Sequence, residues 1–239
     1  MLENLQGFQN LEGFLDLKSI LSKTLNLINW HIPKMENGFQ HYLDRALPHI
    51  RKWWFSVMCI PFCWVLAEQQ WMALEWEISF AWQYPYPFFL FPFFFFIDWF
   101  LLIVHEAGHT FFGFFGSRFL TILGGTLLQI LLPFVIFIYG WWNRQHFVAQ
   151  LGLLLTAFSW VESSAYAADA VARRMPLIGN LPSSAHDYYN MFSMKGVLAN
   201  HMTYAWGMYW VGIITIILFL IYPLLKRKQY DYVDLEMDL

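Results

Sequence analysis

Charge is what this sequence has least of. Aspartate, glutamate, lysine and arginine make up 13% of its 239 residues, against roughly 25% in an average soluble domain. A soluble core wrapped in a solvated charged shell is therefore excluded for most of the chain. Between Ile78 and Trp142 the only formally charged residues are Asp98, Glu106 and Arg118. Cysteine is confined to Cys59 and Cys63. An i, i+4 pair without C-x-x-C spacing excludes a disulfide framework or a cysteine-held zinc ribbon, and both residues read as small packing groups on one helix face. The net charge of -3 gives no electrostatic support to nucleic-acid binding. The first twenty residues lack the apolar core and small-residue cleavage site of a signal peptide, so internal segments are expected to drive insertion.

What is present instead is apolar and aromatic, at 58% and 21% of the chain. Lipid is the expected solvent, and the predicted fold is all-α: a polytopic integral membrane helical bundle of about five transmembrane helices, at ~20 residues per crossing. The expected spans are 53–67 with a polar continuation, 85–115, 119–142, 145–171 and 197–225. Leu5, Phe8, Leu11, Phe14, Leu21 and Leu25 recur at helical spacing, which makes 1–50 an amphipathic segment suited to a membrane surface or to partner contact. The transmembrane domain is expected over 51–228, and 229–239 reads as an acidic tail. Arg173-Arg174 and Lys226-Arg227-Lys228 fall on opposite sides of one span, so the positive-inside rule leaves orientation open. In the fourth span Ser159, Glu162, Tyr166, Asp169 and Arg173 share one face at 100° per residue, and that polar stripe is expected to face the bundle interior.

The second expected span holds FPFFFFIDWFLLIVHEAGHTFFGFFG. A charged group at bilayer depth costs at least ~2.5–3.5 kcal/mol, so an aspartate, a glutamate and two histidines in this run require a shared reason. His105-Glu106-Ala107-Gly108-His109 supplies it. On a helix, histidines four apart project side by side and take adjacent corners of a tetrahedral zinc, with Glu106 beside the open corner. Zinc lowers the pKa of bound water to about 7, and a carboxylate then acts as general base. Asp98, seven residues earlier on the same face, is a candidate for the polar surroundings of the metal or for the headgroup level. Gly124-Gly125 reads first as a close helix contact.

This helix, Gly124-Gly125 and a later aspartate, Asp187 in AHDYYN, resemble the membrane-embedded zinc metalloproteases of the site-2 protease type. LGGTLLQILLP, SAYAADAVARRMPLIGN and AHDYYNMF are also similar to uncharacterised bacterial membrane proteins that carry the same helix pattern. The resemblance covers roughly residues 95–192. It implies a bacterial inner-membrane setting, zinc as cofactor, His105 and His109 as ligands, Glu106 as base and a membrane-protein or peptide substrate. Such proteases take the third ligand from an Asp-Gly pair, and no Asp-Gly occurs in this chain. The third-ligand candidates are Asp187, His186, Asp169 and Glu162. The resemblance favours Asp187, with His186 near the metal or the substrate oxyanion and Asn190 orienting a carbonyl or the ligand.

Two other classes bear on the same residues. Di-iron membrane hydroxylases use several histidine boxes, and His31, His41, His49, His146, His186 and His201 form none. The non-enzymatic alternative is an accessory subunit of a membrane complex with a structural or unused zinc site.

Overall fold

The computed structural model describes residues 33–75 and 90–225. Among these residues all regular structure is helical: α1 (Pro33–Glu75), α2 (Phe91–Gly113), α3 (Arg118–Trp142), α4 (His146–Ala168), α5 (Asp187–Lys195) and α6 (His201–Leu225), with three short 3-10 turns. The chain divides into two units, Met1–Arg51 and Lys52–Leu239. The expected amphipathic segment 1–50 lies mostly outside the described residues, as do the acidic tail 229–239 and Lys226-Arg227-Lys228.

Among the described residues four helices are long and apolar enough to cross a membrane: Lys52–Glu75 within α1, α2, α3, and Leu198–Leu225 around α6. The first is longer than the sequence suggests. Glu68 stays exposed while Gln69 and Gln70 turn inward, so the helix continues through EQQ without placing all three polar groups on the outside. The fourth expected span, 145–171, is α4, which does not meet the apolarity of the other four, for a reason visible in its burial. It is the inner helix, with Gln150, Thr156, Ser159, Ser163 and Ser164 all buried, and it packs chiefly against α3 and α6. At 23 residues it is about 34 Å long, which matches a hydrocarbon core of about 30 Å.

Between helices in lipid, small residues and hydrogen bonds do what hydrophobic burial does in water. Gln150 donates to Ser56 Oγ of α1 at 2.6 Å and approaches the Phe219 carbonyl of α6 at 3.4 Å. Ser159 donates to the Gln129 carbonyl of α3 at 2.9 Å, and Tyr209 of α6 donates to the Ala67 carbonyl of α1 at 3.1 Å. Such bonds contribute about 0.6 kcal/mol each on average, so their value lies mostly in fixing register. Outward faces are aromatic and aliphatic: Phe96, Trp99, Ile103, Val135 and Trp142 are among the exposed large side chains.

α2 and α3 are joined by a tight turn in which Gly116 has φ +69° and Ser117 caps α3 by accepting from Leu120 N–H. A turn this short makes them antiparallel neighbours. After α4 the chain loops back over 169–186 into α5. That loop, together with the α2–α3 pair, positions the site.

Candidate metal centre

The buried residues of α2 are Phe94, Ile97, Leu101, Val104, His105 and Gly108. They recur at helical spacing and form one inward stripe. The geometry that favours a buried apolar face therefore also aims the imidazoles at α3. Gly108 meets Gly124 so closely that a Cβ on it would overlap the Gly124 carbonyl. At the next residue, a Cβ on Gly125 would lie 2.6 Å from His105 Nε2 and 2.7 Å from His109 Nε2. Gly124-Gly125 is a close helix contact, as expected, and its second glycine also leaves the volume that the imidazoles occupy.

Both rings are fixed through the nitrogen that faces away from that volume. His105 Nδ1 lies 2.9 Å from Gln129 Oε1, and His109 Nδ1 lies 2.9 Å from the Thr121 carbonyl. Gln129 in turn donates through Nε2 to Glu162 Oε2 at 2.7 Å, which fixes its Oε1 as the acceptor toward His105. Carbonyl oxygens accept and do not donate, so each neutral ring carries its hydrogen on Nδ1 and presents a lone pair on Nε2. Both lone pairs meet a third acceptor. Asp187 Oδ2 stands 3.1 Å from His105 Nε2 and 3.2 Å from His109 Nε2, and one ligand atom from each residue lies within 4.8 Å of the others. Three acceptors converging on one volume are mutually repulsive unless a cation or proton lies between them. Two nitrogens and a carboxylate oxygen form a donor set suited to zinc, with Gln129 and the Thr121 carbonyl as the outer partners that such ligands ordinarily have.

Asp187 opens α5 and is oriented by Tyr166 of α4, whose hydroxyl accepts the Asp187 N–H at 3.2 Å and lies 3.5 Å from Oδ2. Burial opposes ionisation of this carboxyl, and hydrogen bonds from His105 and His109 with their Nε2 atoms protonated outweigh it, holding Asp187 down at about 2; a bound cation would take the place of those protons. It is therefore ionised at neutral pH.

The remaining residues singled out from sequence take other places. His186 is fully buried and caps α5, its Nδ1 accepting from Tyr189 N–H at 3.3 Å. Its Nε2 lies 3.3 Å from Asp169 Oδ2, at ion-pair distance but without hydrogen-bond alignment. It thus faces Asp169 and does not join the ligand group, because the cap turns the ring back into the loop. Asn190 donates to the carbonyls of Ser184 and His186 at 2.9 and 3.0 Å, so its amide ties the loop and does not reach the ligand group. Asp169 accepts from the backbone N–H groups of Arg174 and Met175 at 3.0 and 2.9 Å, while Arg173 lies over the Tyr189 ring. Glu162 accepts from Gln129 Nε2 at 2.7 Å and has the Asp98 carboxyl as a neighbour. The expected stripe faces inward as far as Asp169, with Glu162 and Tyr166 lining the cavity and Ser159 and Asp169 fully buried; α4 ends at Ala168, so Arg173 leaves the helix face and lies in the loop.

A cavity of about 320 Å³ opens on the ligand group. Glu106, Asp98 and Glu162 line it together with His105, His109 and Asp187, and its other wall is formed by Met175, Leu177, Ile178 and Leu181 of the loop. Two contributors to the site were not singled out from sequence as part of it. The signal for Gln129 was there to read, as the one side-chain amide in α3. The Thr121 carbonyl is a backbone group and leaves no trace in residue type.

Comparison of the chain with protein-family models, curated proteins and solved structures gives no match.

Proposed function

We propose that the chain is a membrane-embedded zinc metallohydrolase that cleaves peptide bonds of a substrate within or beside the bilayer, in the manner of site-2-type proteases. The observation that carries this reading is the convergence of His105 Nε2, His109 Nε2 and Asp187 Oδ2 on one volume, with both Nδ1 atoms tied elsewhere. His105, His109 and Asp187 would hold the metal. Zinc bound there would supply Lewis acidity and lower the pKa of a water to about 7. Glu106 lines the same cavity one residue after His105, and in this reading it is the general base that would take a proton from the attacking water and return it to the leaving amine. Gln129 and the Thr121 carbonyl hold the imidazoles in the ligating tautomer, and Tyr166 holds the carboxylate. Lipid surrounds the helices in this reading, the bacterial inner membrane is the setting, and a membrane-associated peptide is the substrate.

The rival reading is an accessory protein with structural zinc. A structural site is closed by four protein ligands, whereas a catalytic one keeps an open position. Among the described residues the group that could hold a metal has three members, which favours the catalytic reading.

Elemental analysis and X-ray absorption at the zinc edge on detergent-purified protein test this. The expected result is about one zinc per chain with two imidazoles and light oxygen ligands, lost in His105→Ala. Zinc near zero without chelators, or a shell of four protein ligands, overturns it.

A further inference from the structure

Hydrolysis of a peptide bond places negative charge on the carbonyl oxygen, and a hydrogen-bond donor fixed beforehand at that oxygen is usually a large part of the rate enhancement. The family resemblance assigns His186 and Asn190 to the substrate carbonyl, but both are committed to capping and tying the loop. The cavity offers few replacements. Among its described lining residues there is no lysine or arginine, and its carboxylates only accept while ionised. Gln69, Gln70, Gln129 and Ser163 carry donors, yet each is 8% exposed or less. His105 and His109 aim their Nδ1 atoms at Gln129 and the Thr121 carbonyl. The side-chain donor that is left is Tyr166, which lines the cavity and is only partly buried.

Distances place its hydroxyl against the ligand group. The oxygen accepts the Asp187 N–H at 3.2 Å and lies 3.5 Å from Asp187 Oδ2, the atom that stands 3.1 and 3.2 Å from the two imidazole Nε2 atoms. A formed O–H···O bond spans roughly 2.5–3.0 Å, so the contact to Oδ2 is too long to hold the hydroxyl hydrogen firmly. The hydroxyl is thus anchored through a lone pair, with its hydrogen available beside the ligands. Its ring is set by packing, 4.3 Å from His186 and 5.3 Å from Tyr188 between centroids, so the donor needs no rearrangement when charge develops.

We infer that Tyr166 is a catalytic residue, whose hydroxyl donates to the scissile carbonyl oxygen as that oxygen becomes negative. This role rests on the hydrolase reading above and adds the group that stabilises its transition state. As the water oxygen bonds to the carbonyl carbon, a water proton passes to Glu106 and the π pair of the carbonyl moves onto its oxygen, where Tyr166 donates. That pair then re-forms the carbonyl as the C–N bond breaks, and the C–N pair leaves on nitrogen, which takes the proton from Glu106. Tyr166 keeps its own proton throughout.

The test uses full-length protein in detergent at full zinc loading and two inhibitors with the same leucine side chains. A phosphinic dileucine pseudopeptide carries a charged oxygen where the carbonyl oxygen turns negative, and a dileucine thiol binds zinc through sulfur and carries no such oxygen. Binding of both to wild type and Tyr166→Phe is measured calorimetrically. Zinc affinity is expected to fall in Tyr166→Phe because the Asp187 N–H loses its acceptor, and the phosphinate-to-thiol affinity ratio cancels that loss. The ratio is expected to drop roughly 10–100-fold, the size of a hydrogen bond to a charged group, and kcat on a peptide substrate to drop roughly 100-fold or more with KM near wild type. An unchanged ratio leaves Tyr166 as a support of Asp187 alone and overturns the donor role, as does wild type that binds the thiol without the phosphinate; the hydrolase reading survives either result. Wild type that binds neither inhibitor overturns both. A second measurement keeps the hydroxyl and does not depend on the folding of Tyr166→Phe: with 3-fluorotyrosine in place of Tyr166, the fluorine resonance is expected to move more with the phosphinate than with the thiol, and equal shifts overturn the role.

Discussion

His105 Nε2 and Asp187 Oδ2 lie 3.1 Å apart although 82 residues separate them in the chain. The contact joins the middle of α2 to the first residue of α5, and the intervening chain is arranged so as to permit it: α3 presses its glycines against α2, α4 presents Tyr166, and the loop 169–186 returns the chain from α4 to α5. Asp187→Ala removes the only carboxylate in the ligand group. Zinc affinity is expected to fall by roughly 10–100-fold or more, since losses of outer partners alone reach that range. A competition titration with a chromophoric chelator measures it. His186→Ala should lower thermal stability through a lost cap and a buried void while zinc affinity stays near that of wild type.

Gln129 holds His105 in the ligating tautomer and donates to Glu162. Gln129→Leu should weaken zinc binding by roughly 10–100-fold. Thr121→Val should change it little, because the group that fixes His109 is the backbone carbonyl of residue 121. The same titration compares them, and equal effects from the two substitutions would contradict the assigned roles.

Two glycine substitutions separate packing from ligation. Gly108→Ala places a Cβ against the Gly124 backbone, which can yield only by moving a helix, and overpacking of this kind costs about 1–3 kcal/mol. Gly125→Ala instead meets the imidazole nitrogens of His105 and His109. It should lower zinc content more than it lowers the thermal midpoint, with Gly108→Ala showing the opposite balance. Midpoints and metal content from the same preparations decide.

Much of this was legible in the sequence because lipid makes polar residues conspicuous. His105, Glu106 and His109 stand out in an apolar run, and their spacing alone puts two imidazoles on one face. The inward stripe of α4 followed from the same periodicity. The partition of carboxylates was not legible in that way. Glu162, Asp169 and Asp187 are alike as residue types, and what separates them is where the loop 169–186 places backbone N–H groups: Asp169 is taken up by Arg174 and Met175. His186 illustrates the same limit, since a cap at the start of α5 turns its ring toward Asp169. The length of the first span was also hidden, because EQQ reads as a polar stop until a cavity is known to receive Gln69 and Gln70.

Asp169 is the anchor of the loop that forms one wall of the cavity. Asp169→Ala leaves two backbone N–H groups without their acceptor, at about 1–3 kcal/mol for each one that remains buried. Faster nicking within 170–186 under limited proteolysis is expected, together with a lower midpoint, and Asp169→Asn should be intermediate because it keeps one acceptor oxygen. Unchanged proteolysis of both variants would remove Asp169 from the anchoring role.

The most direct test of the central claim is turnover of transmembrane peptides in liposomes by wild type and Glu106→Gln at matched zinc loading. The amide keeps the shape of the side chain and cannot accept the proton. The account predicts cleavage by wild type and a loss of at least about 100-fold in Glu106→Gln, the low end of general-base catalysis, with zinc content unchanged. Equal cleavage by both proteins would contradict it.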